Sequence, residues 1–341
     1  MELRKLQLVG RASFSVTLPP NWIKENRLKP SDQITITQEE DGSLRLIPRI
    51  IPEQKEFKIT IDVDRCKEPR LLRRLITGGY FRGCDLIELV SKHAIRQDHK
   101  DEIRDAVDSL LGLGIIEAAS DHVTIQSLIN HSKFPTRPLL NRLCGLASSM
   151  HKDALQALKD RDSSLAADIM HRENEVNKIY WLSMRQLVAA IYDKSILKKV
   201  GLEGTSDSAL YRRVSSGMKS IADSAVDIAK NLLALGKKEV SDVDLQKVIQ
   251  LGKLAQEIIS NACEAFFKED IVLANSTMEA FNHFEEMKEE SIKKVMPRIE
   301  DAHVAMCLMT IIRDLRTIAE CGKTIANITI GNSITGERSL P

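Results

Sequence analysis

Aromatic residues are scarce, at 4% of 341 positions, so the chain offers few flat surfaces on which bases could stack. No charge sign dominates either: 49 Lys or Arg stand against 48 Asp or Glu, a formal net charge of +1. That excludes a chain coated in positive charge for nucleic acid, although an average can hide a basic end. The longest apolar stretch, around Ala302–Ile312, contains His303 and is too short to span a bilayer. Residues Met1–Gly10 are charged and lack the apolar core of a signal peptide, so a cytoplasmic protein without membrane insertion is expected. The cysteines (Cys66, Cys84, Cys144, Cys263, Cys307 and Cys321) lie far apart with no CxxC pair, which points to free thiols. No GxSxG, GxxxxGK[ST] or strand-borne GxGxxG is present, and no histidines are spaced HxH or HxxxH. Nothing in this pattern suggests an enzyme or a cofactor. The 43% of hydrophobic residues is nevertheless enough for a substantial core.

Composition changes twice along the chain. Residues 1–50 read as short strands and turns: LRKLQLVG and ASFSVTLP are broken by Gly10–Arg11, and PPNWIKEN begins a short helix with proline at its entrance. QITITQE and SLRLIP then alternate as two strands around Glu40–Asp41–Gly42, a hairpin signal. Residues 51–132 read as a mixed α/β module of order βαβαββ, expected to be a sheet with helices on one face, ferredoxin-like in spirit. Its first helix, EPRLLRRLITGG, is expected to stop at the two glycines.

Beyond Lys133–Pro138, helical periodicity replaces strand signals. Val214, Met218, Ile221, Ala225, Ile228 and Leu232 form one apolar stripe; Leu308, Ile311, Leu315, Ile318, Gly322 and Ile325 form another. The two superimpose at an offset of 97 residues, the mark of a duplicated unit. Each unit holds about three long helices, giving tandem three-helix bundles over 133–235 and 236–330, with 331–341 as a tail.

Two resemblances rest on these segments. RKLQLVGRASFSVTLPPNWIKENRLKPSDQITI followed by DGSLRLIP resembles the AbrB/SpoVT/MazE swapped-hairpin domain. Leu18, Pro19 and Trp22 match its helix element and Asp32 sits in its turn, with Ser31 in place of the usual glycine. The helical part, with KSIADSAVDIAK at Lys219–Lys230 and RTIAECGKTIAN at Arg316–Asn327, resembles the PhoU domain. The combination resembles archaeal phosphate uptake regulators. The first resemblance implies a dimer with interleaved hairpins that binds DNA; the second implies a regulator of phosphate uptake.

PhoU domains often carry paired carboxylates that hold metal ions. Here Lys219 stands where the first carboxylate of the repeat-one helix belongs, before Asp223, and Arg316 stands there in repeat two, before Glu320. Asn177 replaces the partner of Glu173, and Phe284 falls near the matching place in repeat two. Each pair has lost a member, so no metal site is assigned. Asp223 and Asp227 form a new i, i+4 pair, expected to be solvated.

The N-terminal segment places Arg4, Lys5 and Arg11 on its first strands and Lys24 and Arg27 on its short helix, while Glu39–Asp41 cluster at the other hairpin. These five basic residues are the candidate DNA contacts, doubled by dimerisation. Three readings stand: a dimeric DNA-binding phosphate regulator; an adaptor that engages a phosphate-transporter ATPase or signalling partner without touching DNA; and a metal-binding relative.

Overall fold

The computed structural model describes residues 3–38, 42–48, 57–130, 133–192 and 194–334. The acidic hairpin tip Glu39–Asp41 and residues 335–341 of the tail lie outside them. Contacts divide the chain into two units, Met1–Glu56 and Phe57–Pro341.

In the first unit, β1 (Gln7–Val9) pairs antiparallel with β2 (Ser13–Ser15), and β3 (Ile34–Gln38) with β4 (Leu44–Pro48). Between the hairpins lies α1 (Pro20–Glu25), entered through proline, whose missing N–H costs nothing at a helix start. None of the described residues of this unit is buried.

The second unit opens with the expected βαβαββ order: β5 (Lys58–Asp62), α2 (Leu71–Phe81), β6 (Leu86–Val90), α3 (Gln97–Ser109), β7 (Leu113–Ala118) and β8 (His122–Ser127). The strand order is β5-β6-β8-β7, with β5 and β6 parallel and β8 antiparallel to both neighbours. A ferredoxin-like sheet runs βαββαβ, so that likeness does not extend to the topology. Ile61, Ile87, Leu89, Val123 and Ile125 alternate inward and pack beneath α2 and α3.

Contrary to expectation, α2 runs through Gly78–Gly79 to Phe81. A Cβ at Gly79 would sit 2.6 Å from Ile59 Cδ1 and 3.1 Å from Ile87 Cδ1. The glycine therefore serves close helix-to-sheet approach rather than termination, while α3 does end just before Gly112, whose φ is +79°.

The helical part is α4 (Thr136–Asp160), α5 (Ser163–Tyr192), α6 (Lys194–Lys199), α7 (Thr205–Leu235), α8 (Asp242–Lys268), α9 (Ile271–Val295) and α10 (Ala302–Ser333). Apart from α6, these are the six long helices that the periodicity predicts. Duplication is visible in the joints. α4 ends on left-handed Arg161 (φ 55°), and α8 ends on left-handed Glu269 (φ 56°). The next residue, Asp162 or Asp270, then accepts N–H bonds from the first turn of the following helix. These joints are offset by 108 residues, against 97 for the third helices, because repeat one carries the extra α6 segment. Leu143, Met218, Ile221, Ile258 and Ile318 belong to one continuous core shared by both bundles.

Candidate functional site

Two pseudo-equivalent clusters sit between the second and third helices of the repeats. In repeat one, Lys219 of α7 forms an ion pair with Asp223 one turn on, and its Nζ lies 3.8 Å from Glu173 Oε1 of α5. Asp227 is half-exposed on the same helix and pairs with Lys230 at 3.0 Å. In repeat two, Arg316 of α10 reaches Glu285 Oε1 of α9 at 2.9 Å and Glu320 Oε2 at 3.0 Å. Phe284 is fully buried and stacks on Phe281, so that position belongs to the core.

Side-chain cations therefore occupy both places where carboxylates would converge on a metal. A hard cation needs several oxygen ligands free of competing charge, and this donor set does not fit one. Among the described residues no group of three or more His, Cys, Asp or Glu is placed to hold a metal ion.

The five N-terminal basic residues are all exposed. Arg11 sits at the tip of the β1–β2 hairpin beside Gly10 (φ +70°), while Arg4 and Lys5 precede β1 at its open end. At about 3.3 Å per residue, this separates Arg11 from Arg4 by roughly 20 Å. Lys24 lies in the last turn of α1, but Arg27, expected on that helix, lies beyond its end in left-handed conformation (φ 53°) with its N–H bonded to the Lys24 carbonyl. The hairpin and the helix thus carry three basic positions rather than one patch. Among the described residues no ion pair holds Lys5, Arg11, Lys24 or Arg27.

A further concavity escapes sequence reading. A cleft of about 610 Å³ lies where α2 and α3 of the sheet module meet α5 and α7. Arg70, Arg73, Arg74 and Arg212 line it, together with Phe81, Tyr180 and Trp181. Trp181 packs edge-on against Phe81 and Tyr180, with centroids 6.3 and 5.0 Å away, and the Arg212 guanidinium stands 5.7 Å from the Phe81 centroid. Arg70 has φ 62° and ψ 11°, held there by Glu102 of α3, which accepts the N–H groups of Arg70 and Arg73 at 3.1 Å each. The RLLRR run is the only hint of this cleft in the sequence; its partners come from helices more than 100 residues away.

A sheet module joined to tandem three-helix bundles, with ion-paired charges between the second and third helices of each, defines a helical-repeat protein. The chain belongs to the PhoU domain family, which matches residues 140–232 and 248–329. Residues 7–54 match a second family, described as antidote-toxin recognition MazE, bacterial antitoxin.

One relative is the phosphate-specific transport system accessory protein PhoU homolog 1 of Thermotoga maritima. It is 22% identical over 188 residues, covering 53% of this chain and 78% of its own. The crystal structure of PhoU from Pseudomonas aeruginosa is similar at a TM-score of 0.51 and 20% identity, covering 57% of this chain and 93% of that one. That of the phosphate transport system regulatory protein PhoU from Streptococcus pneumoniae has a TM-score of 0.51 at 18% identity, covering 60% and 96%. These likenesses establish the fold of the helical part. Among the described residues no helix is long and apolar enough to cross a membrane.

Proposed function

We propose that this chain is a non-enzymatic, cytoplasmic regulator of phosphate uptake, in which the PhoU bundles sense or engage a partner and an N-terminal dimer carries the output to DNA. Membership of the PhoU family and the likeness to a phosphate-specific transport system accessory protein support the phosphate part. One observation carries the dimer. The N-terminal unit buries none of its described residues and leaves Leu6 68%, Leu8 62%, Phe14 66% and Leu44 64% exposed. A segment this small cannot stabilise itself with its apolar side chains in water. A second copy that interleaves its hairpins covers them and doubles the basic set.

In that dimer Arg4, Lys5, Arg11, Lys24 and Arg27 are the proposed phosphate-backbone contacts. They fix position rather than read bases. Affinity then depends steeply on salt, because each neutralised phosphate releases a counterion.

Two measurements test this. Light scattering of the full chain should give a dimer, which Phe14→Asp should split. Binding to duplex DNA should weaken linearly on a log–log salt plot, with a shallower slope for Arg4→Ala/Arg11→Ala. A dimer without salt-dependent binding to any duplex overturns the DNA reading and leaves the adaptor that engages a transporter ATPase or signalling partner.

A further inference from the structure

The cleft between the sheet module and repeat one gathers four arginines. No carboxylate lines it, and among the described residues none lies within ion-pair distance of the side chains of Arg70, Arg73, Arg74 or Arg212. Arg142, Arg172 and Arg316 of the same unit, by contrast, are paired, with Glu175, Asp153 and Glu285 respectively. Four guanidinium groups around one hollow, three of them on exposed residues, set up a positive field there that favours a polyanion.

The backbone supports the same assignment. Arg70 sits in the left-handed region, which is costly for a side-chain-bearing residue, and Glu102 holds it there. Because Glu102 takes the Arg70 and Arg73 amides, the helix end itself is occupied. An anion in this cleft is met by guanidinium forks, which grip phosphoryl oxygens in pairs.

Charge and shape narrow the ligand. One phosphate group carries roughly −2 at neutral pH, so four arginines match two or more of them. Trp181, with Phe81 and Tyr180 packed edge-on against it, places aromatic rings beside the cations, against which a planar ring can pack. A volume of about 610 Å³ suits an organic small molecule and exceeds the need of inorganic phosphate alone.

We infer that this cleft is a nucleotide site, which takes a nucleoside di- or triphosphate with its phosphoryl groups on the four arginines and its base against Trp181 and Tyr180. Because α2 and α7 both contribute arginines, the bound nucleotide ties the sheet module to repeat one. The inference goes beyond the regulator reading and stands without it.

Calorimetry on the full-length chain tests it with ATP, tripolyphosphate, orthophosphate and adenosine as separate probes. ATP should bind once per chain, with the other three weaker by about tenfold or more. Arg74→Gln/Arg212→Gln removes two exposed guanidinium groups and should weaken ATP binding by about tenfold or more. Arg73→Lys, which keeps the charge but loses the fork, should also weaken it, and thermal melts should report folded protein for both variants. No ATP binding, tripolyphosphate as tight as ATP, or an unchanged affinity in both variants would each overturn the assignment.

Discussion

Arg185 and Asp85 meet at 3.0 Å where the sheet module joins α5. The arginine is fully buried; its Nη1 donates to the carbonyls of Tyr80 (2.9 Å) and Cys84 (2.8 Å), and its guanidinium lies 5.0 Å from the Tyr80 ring centroid. Burial pulls the Arg185 pKa down against the opposing pull of Asp85, and pushes the Tyr80 hydroxyl up to about 12. The Tyr80 hydroxyl in turn donates to the Leu111 carbonyl at 2.9 Å. One side chain from the helical body thus caps the C-terminal end of α2 and fixes the loop before β6.

Arg185 is buried while the Asp85 side chain is 36% exposed, so removing the carboxylate leaves a desolvated guanidinium that keeps its two carbonyl partners. Asp85→Ala should therefore destabilise the protein by about 1–3 kcal/mol. Denaturant titration checks this. A loss well under 1 kcal/mol would mean that solvent reaches the guanidinium.

Two glycines in long helices should respond oppositely to alanine. Gly145 in α4 has nothing within 4 Å of an added Cβ, so Gly145→Ala should gain about 1 kcal/mol of helix propensity. At Gly322 the added Cβ meets Ile258 Cγ2 at 2.7 Å and the Ile258 backbone carbon and oxygen at 3.2 Å. Backbone cannot step aside, so overpacking outweighs propensity and Gly322→Ala should lose about 1–3 kcal/mol. Thermal melts of the two variants should move in opposite directions.

The long helices were legible because a stripe such as Val214, Met218 and Ile221 has one physical explanation, burial on a face, and a repeat at 97 residues doubles the signal. The path of α2 was not legible. Gly78–Gly79 carries the same letters as a helix stop, and only the approach of Ile59 and Ile87 turns it into a contact requirement. The arginine cleft was hidden for another reason. Arg70, Arg73 and Arg74 look like one exposed helix face until packing brings Arg212 and Trp181 against it. Arg185 reads as an ordinary helix-surface cation, and nothing local announces that it is wholly buried.

His151 makes stability fall in acid. It is fully buried between α4 and α8, and its Nδ1 lies 2.8 Å from Gln256 Oε1. Gln256 spends its amide hydrogens on Ser148 and Ser260, so its oxygen accepts and the imidazole is neutral with its proton on Nδ1. Burial lowers the imidazole pKa to about 4, partly opposed by the Gln256 bond. The unfolded chain takes up a proton near pH 6.5, whereas the folded one does so only near 4. This stabilisation is present above pH 6.5 and is lost as pH falls toward 4, a change of about 3 kcal/mol. Between pH 7 and 4, the wild type should lose about that much more stability than His151→Met, measured by urea unfolding. Equal losses would show that the imidazole is hydrated in the folded state.

Lys219 is the residue that keeps a cation from bridging Glu173 and Asp223, since its own ammonium lies between α5 and α7 beside both carboxylates. In the wild type, Mn²⁺ should leave the melting temperature unchanged. Lys219→Glu/Asn177→Asp replaces the internal cation with carboxylates on the same two helices. Without metal the variant should melt lower, through like-charge repulsion, and added Mn²⁺ should restore it. A site that binds only the folded chain gains about 2.7 kcal/mol at a hundredfold excess of metal over Kd. A variant that melts lower and does not respond to Mn²⁺ would show that the helix spacing, and not the lysine, excludes the metal.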